Sequence, residues 1–157
     1  MLLSKDFSEF IELLNKHKVD YMIVGGYAMA FHGKPRQTGD IDIWIDNVAV
    51  NAERVMKVIQ DFGLSSLGLK KEDFIKENSI TQIGFPPLRI DILNSIDGVR
   101  FNDAREHRLV VEMQGIKAFY IGKEEFLKNK QASGRVQDLA DIKELQKDKG
   151  KKKGRGR

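Results

Sequence analysis

The chain contains no cysteine, which excludes a disulfide framework, a Cys-ligated zinc site and an iron–sulfur cluster, and argues against a small secreted scaffold. No apolar run approaches the ~18 residues that a membrane-spanning helix needs, and Met1–Asp6 lacks the basic-then-apolar layout of a signal peptide. A soluble cytoplasmic protein with no membrane role is the expectation. Two phosphate-binding fingerprints are missing as well, the G-x-G-x-x-G of dinucleotide sites and the G-K-[S/T] loop. The three histidines, His17, His32 and His107, have neither metal nor triad spacing and are assigned no chemistry.

What is present suits one globular domain. The 157 residues are 41% hydrophobic and 32% charged, enough to bury a core without an excess of like charge. The net charge of +4 is unevenly spread. Lys147 to Arg157 carries seven basic residues against one acidic, a charge of +6, and leaves residues 1–146 at −2. That tail has three glycines and no apolar residue, so the sequence reads as a domain over 1–146 followed by a disordered basic tail over 147–157.

Periodicity organises the rest. Phe7, Phe10, Ile11 and Leu14 share one helical face behind Ser4, a candidate N-cap, which predicts a helix from Lys5 to His17. Tyr21–Val24 reads as a buried strand running into a tight Gly25-Gly26 turn, with a short helix from Tyr27 to His32. A strand over Ile41–Ile45 follows, then an amphipathic helix carrying Val55, Met56, Val58, Ile59 and Phe62, capped by Asn47 or Asn51 and closed by Gly63. Lys71–Asn78 is expected to be helical. Strands at Ile80–Phe85 and Leu88–Leu93 flank Pro86-Pro87, and Leu109–Met113 with Ile116–Ile121 form a hairpin. Helices over Lys123–Ala132 and Arg135 to about Lys147 complete a mixed α/β (α+β) chain with a small sheet. Trp44 and Phe31 read as core residues rather than base-stacking platforms.

The chemistry concentrates in carboxylates. In Asp40-Ile-Asp42-Ile-Trp44 the strand period of two puts both aspartates on one face, while Ile41 and Ile43 face the core. Arg89-Ile-Asp91-Ile repeats the pattern with a third aspartate. If those strands are neighbours, three carboxylates converge, and charges ~5 Å apart would repel by roughly 3 kcal/mol per pair at an effective dielectric of 20. Such a cluster needs cations or protons, and magnesium suits it because hard oxygen ligands bind it while leaving positions for water and phosphate. Upstream, Gly25 and Gly26 let backbone N–H groups approach an anion, and the following helix adds its positive end.

The combined string Val24-Gly25-Gly26-Tyr27-Ala28, Arg36-Gln-Thr38-Gly-Asp40-Ile-Asp42 and Arg89-Ile-Asp91-Ile resembles the DNA polymerase beta-type nucleotidyltransferase superfamily. Thirteen residues separate Gly26 from Asp40, within the longer spacers of that pattern. Arg36, Thr38 and the aspartates resemble the small bacterial branch that includes the AbiEii-type toxin nucleotidyltransferases. Phe126-Leu-Lys-Asn-Lys130-Gln-Ala132 and Arg135-Val-Gln-Asp138-Leu-Ala-Asp141 resemble its C-terminal Lys motif and Arg-x-x-Asp helix.

The resemblance implies a minimal nucleotidyltransferase fold and a two-metal transfer from a nucleoside triphosphate. Asp40 and Asp42 would hold one magnesium, and both with Asp91 the second; Asp91 could also accept the proton of the attacking hydroxyl. Gly25 and Gly26 would cradle phosphate, and Thr38 would add a hydroxyl donor while Arg36 shapes or binds beside it. Lys130 would neutralise the triphosphate, with Arg135 and Asp138 positioning the nucleotide or Lys130 itself. The acceptor would be a tRNA or other RNA, a protein hydroxyl or a small molecule, and an antitoxin or a second copy would be the protein partner. The alternative is a catalytically weak nucleotide- or RNA-binding protein.

Overall fold

A computed structural model of the chain describes residues 4–35 and 38–154, with side chains as far as residue 147. Helix α1, Lys5–Lys16, begins where the Ser4 hydroxyl accepts the Phe7 N–H at 3.1 Å, and buries the predicted stripe of Phe7, Phe10, Ile11 and Leu14. Strand β1, Tyr21–Val24, runs directly into helix α2, Gly25–His32, so the glycine pair starts the helix rather than forming a separate turn before it. Strand β2, Asp40–Ile45, and helix α3, Ala49–Asp61, follow. Then come β3, Ile80–Phe85, β4, Leu88–Leu93, helix α4, Phe101–Arg105, and the hairpin β5, Leu109–Met113, with β6, Ile116–Tyr120. Helices α5, Lys123–Ser133, and α6, Val136–Gly154, end the chain. The expected tail at 147–157 thus overlaps the end of α6, and its last three residues lie outside the described ones.

The six strands form one mixed sheet in the order β3-β4-β2-β1-β6-β5. β2 lies parallel to β4 and antiparallel to β1, while β1 lies parallel to β6. The registers Ile23↔Ile43, Ile41↔Ile90 and Ile43↔Ile92 bring buried isoleucines of three strands into one layer. Against the core, α1 and α3 meet through Phe10 and Phe62, with ring centroids 5.2 Å apart. This is the mixed α/β (α+β) architecture the periodicity predicts.

Three local expectations are corrected, and one helix is new. Neither Asn47 nor Asn51 caps α3: Val48 is its N-cap and makes no side-chain cap bond. Asn51 is instead buried inside the helix, accepting the Asp20 N–H at 2.7 Å and donating to the carbonyls of Asp20 at 3.0 Å and Asp46 at 2.8 Å. It ties α3 to the ends of β1 and β2, a role that needs an amide's donor and acceptor together. Asn51→Ala would orphan these backbone groups, and urea unfolding is expected to report a loss of about 2 kcal/mol. The expected helix over Lys71–Asn78 shrinks to a single 3₁₀ turn, Lys71–Phe74, because only Phe74 is fully buried there and Asn78 adopts a left-handed φ of 61°. Helix α4 is unforeseen; its Phe101 stacks edge-on against Trp44, ring centroids 5.0 Å apart. Trp44 is core as expected, but Phe31 is 47% exposed, lying at the surface of α2 beside Tyr120.

Candidate active site

The parallel pairing of β2 with β4 aligns Asp42 with Asp91 and Asp40 with Arg89. All four side chains share a face by the strand period, opposite the isoleucine layer. The condition for convergence, that the two acid-bearing strands be neighbours, is met. Gly25 stands beside them at the start of α2, at a φ of +67°, where an added Cβ would overlap the Asp42 carboxylate. The Gly26 N–H bonds that carboxylate. Gly26 in turn lies close to the Thr38 side chain, whose hydroxyl donates to the Asp40 carbonyl at 3.2 Å. Thr38 therefore fixes the loop entering β2. Arg36 lies outside the described residues.

Arg89 is the component that sequence reasoning quoted but left without a role. Its guanidinium forks onto Asp91, Nε to Oδ1 at 2.7 Å and an Nη to Oδ2 at 3.0 Å, and reaches Asp40 Oδ2 at 3.0 Å. The signal was present, since a residue two positions before Asp91 must share its face. Among the described residues, no three His, Asp or Glu side chains already form a group that could hold a metal ion. The Arg89 guanidinium takes up both Asp91 oxygens and one of Asp40. By donor chemistry the three carboxylates still fit magnesium, with Arg89 withdrawn.

Electrostatics single out Asp42. Burial first, then the charges of Asp91 and Asp40, push its carboxyl up to about 6, against the opposing pull of Arg89 and the Gly26 N–H. Its ionised form is therefore short of positive charge, which is what a cation would supply.

A cleft of about 470 Å³ opens beside this face, with Gly25 and Asp42 on one side and Asn129, Ser133 and Arg135 on another. Arg135 is brought to the same cleft as Asp42, where it could meet an anion; Asp40 and Asp91 do not line it. Lys130 and Asp138 do not line it. Lys130 is buried, its Nζ 2.8 Å from Asp141 and 3.4 Å from Asp138 and 4.7 Å from the centre of the Phe126 ring. Asp138 accepts from Arg135 Nε at 2.9 Å and from the Ser133 hydroxyl. Burial alone would raise the Asp138 carboxyl, but these bonds and the charges of Lys130 and Arg135 bring it down to about 2. The cluster locks α5 to α6 and holds the base of Arg135; Asp141, quoted with the motif but given no role, completes it.

By sequence, the chain matches no protein-family description and no curated protein. Solved structures do match it. The Thermotoga maritima protein TM1012, assigned as a nucleotidyltransferase, aligns over 90% of this chain and 91% of its own with a TM-score of 0.60 at 17% identity. The lincosamide antibiotic adenylyltransferase LnuA, solved with lincomycin bound, aligns over 92% of this chain and 97% of its own, TM-score 0.54, at 19% identity. ANT(2″)-Ia, solved with adenylyl-2″-tobramycin, aligns over 94% and 89%, TM-score 0.57, at 9% identity. This chain has a nucleotidyltransferase fold. Within that fold the paired strands β2 and β4 carry the acidic face and α2 starts against it. Among the described residues, no helix is long and apolar enough to cross a membrane.

Proposed function

We propose that this chain is a magnesium-dependent nucleotidyltransferase that moves a nucleoside monophosphate from a nucleoside triphosphate to a hydroxyl. The observation that carries the reading is the alignment of Asp42 with Asp91, with Asp40 one pleat away and the start of α2 against Asp42. Asp40, Asp42 and Asp91 would hold two magnesium ions once Arg89 is withdrawn. Bound magnesium would neutralise triphosphate charge and lower the pKa of the attacking hydroxyl. Gly25 and Gly26 leave the start of α2 open to the phosphates without a Cβ in the way, the Gly26 N–H exchanging its bond to Asp42 for phosphate, and Arg135 meets the triphosphate from across the cleft. The hydroxyl oxygen attacks the α-phosphorus, the bond to pyrophosphate breaks, and the hydroxyl proton passes to Asp91. Thr38 keeps the β2 entry loop in shape, and Lys130 with Asp138 acts on the nucleotide through Arg135 rather than by contact.

The fold neighbour LnuA is a lincosamide antibiotic adenylyltransferase and ANT(2″)-Ia was solved with adenylyl-2″-tobramycin, which favours ATP as donor and a small-molecule hydroxyl as acceptor over RNA or protein. An AbiEii-type toxin role, with an antitoxin partner, instead requires an RNA or protein acceptor. Incubation with each α-labelled nucleoside triphosphate, magnesium and separate pools of hydroxylated antibiotics, tRNA and cell protein tests both. Label is expected in the small-molecule pool, abolished by EDTA and by Asp91→Asn. Magnesium-dependent ATP binding without transfer to any pool would leave the weak-binding alternative, and neither binding nor transfer would end the nucleotide reading altogether.

A further inference from the structure

The contacts of Arg89 carry a consequence for how the acidic face takes up metal. Its guanidinium holds both oxygens of Asp91 and one of Asp40, and so occupies with one positive charge the place where cation charge is expected in the proposed reaction. Bidentate contact is the strongest pairing an arginine makes with a carboxylate, so this is a specific seat and not a passing contact. A divalent ion brought to the same oxygens meets the guanidinium charge at contact distance, so the two compete. The way out is open: Gly84 of β3 is the partner of Arg89 across the β3/β4 pair, so no side chain stands beside it on that flank. The Arg89 side chain is already 23% exposed.

We infer that Arg89 is a resident counter-cation, a positioning residue that holds Asp40 and Asp91 together until divalent metal displaces it over Gly84. The inference rests on the nucleotidyltransferase reading for the metal but concerns only this chain's own arginine. It accounts for how Asp40 and Asp91 stay side by side before metal arrives. It also makes metal affinity a compromise, because an ion taking up Asp91 competes with three charge-assisted hydrogen bonds.

Manganese titration followed by electron paramagnetic resonance, with no nucleotide present, measures this directly. Arg89→Gln removes the competitor, and its manganese dissociation constant is expected to fall at least about tenfold, the lower end of what a charge at this distance does to a carboxylate's proton affinity. Arg89→Lys keeps the charge but loses the fork, and is expected to fall between wild type and Arg89→Gln. A merely structural arginine predicts the reverse, a Gln variant that binds manganese more weakly. Equal or weaker binding by a folded Arg89→Gln protein, when wild type binds, overturns the inference and leaves the functional reading standing. No manganese binding by either protein overturns both. If Arg89→Gln does not fold, the wild-type Arg89 Nε–H resonance decides: magnesium should move it toward the position of a solvent-exposed arginine, and an unmoved signal at saturating magnesium overturns the inference.

Discussion

Asp42→Asn is expected to abolish nucleotidyl transfer and, at the same time, to make the protein more stable at pH 7. The two effects share a cause. Burial and the adjacent Asp91 and Asp40 raise the folded-state Asp42 carboxyl to about 6, against about 4 in an unfolded chain. The folded state therefore binds the proton more tightly, so ionising Asp42 costs the fold stability. That cost is absent below about pH 4, grows as pH rises through 6, and is complete at pH 7. Asparagine keeps an acceptor for the Gly26 N–H but carries no charge, and so removes the penalty. A gain on the order of 2 kcal/mol is expected at pH 7, shrinking toward zero at pH 4. Urea denaturation of both proteins across that range checks it, and a gain that does not depend on pH would contradict the electrostatic cause. Magnesium should narrow the difference by stabilising only the wild type. Activity should fall by roughly a thousandfold or more, since a metal ligand contributes several kcal/mol of transition-state charge stabilisation.

The second large effect is on folding. Lys130→Met should destabilise the protein by about 3–5 kcal/mol, because it leaves Asp138 and Asp141 buried without their shared cation. The side chains concerned are only 8%, 3% and 6% exposed, so water cannot take the place of the ammonium. A triple variant, Lys130→Met with Asp138→Asn and Asp141→Asn, should recover much of the loss, since replacing a whole buried ionic group costs far less than breaking it. Thermal and urea unfolding of the two variants provide the comparison. A loss below about 1 kcal/mol for the single variant is what a solvated surface pair would give and would contradict the buried-cluster account.

The acidic face was legible in the sequence because a strand's period of two is rigid: once Asp40, Asp42 and Asp91 are each set between isoleucines, their common side follows. The pairing of β2 with β4 was not, since adjacency of distant strands is decided by the whole sheet. The isoleucine layers made it the favourable arrangement, but nothing local in either strand names its partner. Lys130 shows the opposite limit. It is expected at the triphosphate, and only the closure of α6 over α5 shows it buried against Asp138 and Asp141 instead. Asn51 was misread for a related reason, because an asparagine near a helix start fits a cap locally, while its actual partners lie on two strand ends. Arg36 and the residues beyond Gly154 lie outside the described residues, so their expected roles stay as sequence expectations.

The two-sidedness of β2 and β4 restricts how this chain can diverge. Losing or gaining one residue between Asp40 and Ile43 would carry the isoleucines to the cleft and the aspartates into the core, since a slip of one exchanges every side chain between faces. The same holds from Arg89 to Ile92. Descendants of this gene can therefore exchange side chains freely along the outer rims of the sheet and lengthen its turns, whereas within these two short stretches heritable change is restricted to replacement, codon for codon.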